Sequence, residues 1–174
     1  MKNLEIILED LEKIKITTNG NSPSEFKHHA VFIHGFKGFK DWGFIPYFSE
    51  YCAKKGIYLI TFNFSLNGIG EDPLELSEMD KFAKNTFTRE VFELNKIIES
   101  FENGFFGKTN NSKLTLIGHS RGGAISALCA DNINVEKLVL WAAIAKLDRY
   151  TERQKAYWKK VGFIEIENTR THQM

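Results

Sequence analysis

Four short runs of the chain are almost wholly apolar: HAVFIHG (29–35), IYLITFNF (57–64), LTLIG (114–118) and KLVLWAA (137–143). Runs of this length, with little polar alternation, are what parallel strands covered on both faces require. Between them the period changes. Across 86–102, Phe87, Val91, Leu94, Ile98 and Phe101 recur three or four residues apart, which makes one apolar stripe of a helix facing a sheet. Residues 42–55, 120–131 and 150–161 also predict helices, the last more polar than the others. Near the start, LEIIL (4–8) and KIKIT (13–17) predict an antiparallel pair at the sheet edge, and TTNGNSPSE (17–25) a surface turn.

Strands alternating with helices predict an α/β fold: a mostly parallel sheet with flanking helices and right-handed crossovers. Ligands of such sheets sit at the carboxyl ends of the strands. His34, Ser120 and Asp148 each follow an apolar strand and share that rim, whereas His28 and His29 precede a strand and belong to the opposite one.

Composition narrows the function without naming it. The 174 residues suffice for one compact domain, and 43% hydrophobic with 26% charged residues is ordinary for a globular protein. A net charge of +1 offers no electrostatic footprint for nucleic acid or an anionic membrane. Cys52 and Cys129 have no metal or disulfide spacing, no apolar run is long enough to span a bilayer, and acidic residues interrupt the amino-terminal one. A cytoplasmic protein without metal or cofactor is the expectation.

The chemistry concentrates in GHSRG (118–122), which fits G-x-S-x-G between an apolar strand and the small-residue stretch GAISALCA. A sharp strand-to-helix turn of this kind strains the serine backbone and exposes its hydroxyl. Side chains at Gly118 or Gly122 would collide with the neighbouring strand and helix, and Gly123 lets the helix lie close to the sheet. A second element, FIHGFKGFKDW (32–42), ends a strand in His-Gly before a loop. That is where a second oxyanion donor is expected, so the Phe36 and Arg121 N–H groups would converge on one oxyanion. GFFGKT (104–109) is a decoy: a phosphate-binding loop needs a glycine where Glu102 stands, and a strand where a helix precedes.

From about residue 16 to about residue 143, the HGFKGFKDW, FNFSLNG and GHSRGG phrases resemble the α/β-hydrolase superfamily, in its serine esterase and aminopeptidase-like, dienelactone-hydrolase-type branch. The resemblance implies Ser120 as nucleophile, backbone donors at Phe36 and Arg121, and structural roles for His34, Gly35, Gly118, His119, Gly122 and Gly123. It also implies an acid and a histidine after further strands. The stretch after Ser120 supplies one strand, one polar helix and FIEIENTRTHQM (163–174). Residues 1–149 therefore read as the hydrolase core, strands one to six, incomplete at its carboxyl-terminal side. Residues 150–174 read as the start of a cap, and the whole as a truncated hydrolase. Asp148 as acid and His172 as base are the candidates within the chain, and without a base the serine would be nearly inert.

Two readings follow. One is a serine hydrolase acting on a small-molecule carboxylic ester, amide or thioester, its acyl pocket walled by FKGFKDWGF (36–44) and RYTERQKAYW (149–158). The other is a non-catalytic interaction module that self-associates through its open sheet edge.

Overall fold

A computed structural model describes residues 1–109 and 113–165. Strands β1 (Lys2–Ile7), β2 (Lys13–Thr18), β3 (His28–Ile33), β4 (Ile57–Asn63), β5 (Leu114–His119) and β6 (Val135–Trp141) form one sheet in the order β1-β2-β4-β3-β5-β6. β2 pairs antiparallel with both β1 and β4, whereas β3–β4, β3–β5 and β5–β6 are parallel. The helices are α1 (Ile45–Lys54), α2 (Met79–Lys84), α3 (Phe87–Glu102), α4 (Arg121–Leu128) and α5 (Glu152–Val161). Among the described residues, no helix is long and apolar enough to cross a membrane.

The strand pattern explains the layering. Successive side chains point to opposite faces, so Val31 and Ile33 of β3 join one core while Ala30 and Phe32 join the other. The larger core holds Tyr58, Ile60, Phe62, Leu114 and Leu116 against Leu94, Ile97, Ile98 and Phe101 of α3 and Ile125 of α4. The smaller one packs Leu59 and Ile117 against Ile45 and Cys52 of α1. Each large apolar side chain removed from water there stabilises the fold by roughly 1.5–3 kcal/mol.

Several expectations shift. α1 begins at Ile45, not at residue 42, because Gly43 takes φ +56° and Pro46 occupies the first turn, where a missing N–H costs nothing. α4 stops at Leu128, short of 131, and α5 starts at Glu152 behind a capping box made by Thr151 and Gln154. Thr17 and Thr18 end β2 and are buried, so the surface turn starts later than expected. The larger correction concerns β6. Its apolar run predicts a strand covered on both faces, yet Val139, Leu140 and Trp141 are 46%, 52% and 44% exposed, because β6 is the sheet edge and no described element lies beyond it. α2, only six residues long with Met79, Phe82 and Ala83 as its apolar positions, is too short for its pattern to stand out in the sequence.

Candidate active site

The site forms where β5 ends. Ser120, between β5 and α4, has φ 54° and ψ −118°, a conformation costly for a residue bearing a side chain. Both sides of its backbone are tied down. Its N–H donates to the Trp141 carbonyl at 3.0 Å, and its carbonyl accepts from Gly123 and Ile144, each at 3.1 Å. Three glycines make the turn sterically feasible. A Cβ on Gly118 would meet Gly122, Gly123 and Ser126, one on Gly122 the carbonyl oxygens of Ile33 and His34, and one on Gly123 the Ala143 side chain. These are the collisions expected from the motif, with β3 as the strand that Gly122 approaches.

The loop after β3 lies against the serine. A Cβ on Gly35 would stand 3.1 Å from Ser120 Cβ. The Gly35 carbonyl accepts from Gly38 N–H at 3.0 Å and contacts His34 Nδ1 at 2.9 Å. Because a trans peptide is planar and its N–H points opposite its C=O, this anchoring sets the direction of Phe36 N–H. The doubly held Ser120 carbonyl sets that of Arg121 N–H in the same way. Arg121 is the first residue of α4, so its N–H has no intrahelical partner, and no backbone carbonyl among the described residues accepts from Phe36 N–H. Ser120, Gly35, Phe36, Lys37, Trp42 and Phe44 share a cavity of about 80 Å³ with His34, His119 and Ile45.

The histidines on this rim are held by other work. His34 is buried against Phe62 and Phe64. Burial pushes its pKa down to about 4, Arg121 adds to the shift, and the bond to Gly35 opposes it, so the ring is neutral at pH 7. With Nδ1–H donating to Gly35, Nε2 is left as a buried acceptor that no hydrogen-bond donor among the described residues reaches. His119 stands among Trp42, Phe44 and Trp141. His29, at the opposite end of β3, contacts the Pro23 carbonyl through Nε2. Asp148 is exposed and pairs with Lys155 at 2.9 Å, which holds its carboxyl below the usual range. His172 lies outside the described residues. The second aromatic stretch does not line the cavity: Tyr150 and Trp158 pack on each other, at 5.2 Å between ring centres.

A polar network escaped the sequence reading. Glu90 and Glu93, on the sheet-facing side of α3, are both buried. Glu93 accepts from the Ser65 backbone and hydroxyl and from Arg89, which continues to Asp10. Glu90 pairs with Arg121 Nε at 2.7 Å and accepts from Asn85 at 2.8 Å. Burial raises the Glu90 pKa, although Arg121 and Asn85 pull it down. The signal was present: Glu90 is three residues after Phe87 and four before Leu94, so a charge interrupts the apolar stripe.

No protein-family model and no curated protein matches the chain. Solved structures do. A protein of Agrobacterium vitis S4 described as a hydrolase superposes with TM-score 0.70 at 18% identity, over 99% of this chain and 66% of its own. The alpha/beta hydrolase GrgF of Penicillium sp. sh18 gives 0.69 at 15%, over 91% and 51%. An esterase of Pyrococcus furiosus gives 0.64 at 17%, over 92% and 55%. Likeness at this level of identity shows the fold: the chain has the α/β-hydrolase fold and spans about half to two thirds of these neighbours' length.

Proposed function

We propose that the chain carries the nucleophile and oxyanion site of a cofactor-independent serine hydrolase acting on a small carboxylic ester, amide or thioester. The observation that carries this reading is the strained Ser120 in a cavity beside Phe36, with the carbonyls behind both candidate amides anchored. The fold neighbours named as hydrolases and esterases support it.

Ser120 Oγ would attack the carbonyl carbon and give its proton to a base, while the oxyanion takes hydrogen bonds from Phe36 and Arg121 N–H. Collapse expels the alcohol, amine or thiol with that proton, and water then releases the acid from the acyl-serine. His34 does not suit the base, since its Nδ1 serves Gly35 and its ring is packed against phenylalanines. Base and acid are assigned to residues outside the described ones. In their absence the oxyanion site alone retains part of the acceleration, about 10³–10⁴-fold over water in known hydrolases with a triad member removed.

A fluorophosphonate probe followed by intact mass and peptide mapping tests this. Slow modification of Ser120 ahead of every other serine, abolished in Ser120→Ala, is expected. Indiscriminate labelling, or none, would remove the hydrolase reading.

The exposed apolar residues of β6 favour a second reading, in which this edge pairs with another copy of the chain. Sedimentation velocity should then show a dimer that Leu140→Lys dissociates. A wild-type monomer at high concentration would dismiss it.

A further inference from the structure

The two candidate oxyanion amides share one support. The Arg121 guanidinium lies 4.2 Å from the centre of the Phe87 ring and 5.6 Å from that of Phe36, with its side chain largely buried. Phe36 in turn packs on Phe82 of α2, at 5.3 Å between ring centres. The side chains of both amide donors therefore stack on each other and rest on α2 and the first turn of α3. Glu90 closes the stack. It is only 4% exposed, with one carboxylate oxygen bonded to Arg121 and the other to Asn85. Asn85 donates there through its side-chain amide at 2.8 Å.

We infer that Glu90 is a positioning residue for the oxyanion site, acting through the Arg121 side chain on the Arg121 and Phe36 amides. This rests on the hydrolase reading above. The physical reason is the strained backbone of Ser120. Its ψ of −118° sets the plane of the Ser120–Arg121 peptide, and relaxing it would turn Arg121 N–H from the direction it now holds. A guanidinium clamped by a carboxylate and two aromatic rings opposes that rotation.

Glu93, one turn further along α3, is the internal control. It is equally buried and bonded, but it holds Ser65 and Arg89, not the elbow. The experiment measures the rate of Ser120 modification by a fluorophosphonate in folded wild type, Glu90→Gln, Glu90→Asp and Glu93→Gln, alongside melting temperatures and amide NMR spectra. Glu90→Gln should label about tenfold more slowly, part of the 10²–10³ that losing one donor costs. Glu90→Asp should fall between it and wild type. Glu93→Gln should melt earlier yet label within about twofold of wild type.

The Phe36 and Arg121 amide resonances should move in Glu90→Gln and stay in place in Glu93→Gln. Unchanged or faster labelling in Glu90→Gln, or equal slowing in both variants, overturns the inference. If Glu90→Gln does not fold, Glu90→Asp decides on the same criteria. If wild type is not labelled at Ser120, the hydrolase reading falls. The NMR comparison then decides for Glu90 alone: shifted amides support the coupling and unmoved ones refute it.

Discussion

β5 and β6 are neighbouring parallel strands of similar apolar character, with Leu116 opposite Leu138 and Gly118 opposite Leu140. Their surroundings differ sharply. β5 is an interior strand between β3 and β6, and its Leu114 and Leu116 are sealed under α3 and α4. It delivers Ser120 into a turn where three glycines leave no room for a Cβ. β6 lies at the edge, and its last three residues are about half open to solvent. Its inner side still matters: Leu138 packs on the core, Trp141 meets the rings of Phe44 and Phe48, and the Trp141 carbonyl holds Ser120 N–H. A hydrophobic run states that a strand suits burial. What buries it is decided by neighbours that the run does not specify.

Substitutions should separate the two strands by magnitude. Gly122→Ala should do the most damage, because its Cβ would meet the backbone oxygens of Ile33 and His34, which cannot rotate away. A loss of about 3 kcal/mol is expected in urea unfolding. A variant as stable as wild type would show that α4 can back off from β3.

Acid should come next. His34 has a native pKa of about 4 against an ordinary 6.5, so the unfolded chain binds its proton first. The contribution is constant above pH 6.5 and is lost as pH falls from there towards 4, by up to about 3 kcal/mol. The urea midpoint of wild type should drop across that window, and that of His34→Gln should drop less. Equal slopes would contradict the burial argument.

At Ser120 the usual residue preferences should invert. Glycine tolerates a positive φ that alanine does not, so Ser120→Gly should be more stable than Ser120→Ala by about 1 kcal/mol. The reverse order would mean that the turn carries no strain. Leu140→Ala on β6 should change stability by no more than about 0.5 kcal/mol, as at other exposed positions. A core-sized loss there would erase the contrast between the strands.

The same distinction accounts for what was legible beforehand. β3 to β6 follow from apolar runs and α3 from its period, and the G-x-S-x-G turn from a local glycine pattern, although Gly122 and Gly123 answer to the distant Ile33, His34 and Ala143. The exposure of β6, the pairing of Asp148 with Lys155 and the coupling of Glu90 to Arg121 each depend on a tertiary neighbour. Glu90 is the instructive case. A carboxylate inside an apolar stripe signals a buried partner, but not that the partner follows the candidate nucleophile by one residue.

The account is tested most directly by a crystal structure of the chain after phosphonylation. A single adduct on Ser120, with its phosphoryl oxygen about 3 Å from both the Phe36 and Arg121 amide nitrogens, is the predicted result. An adduct whose oxygen faces solvent, or touches neither amide, would contradict it.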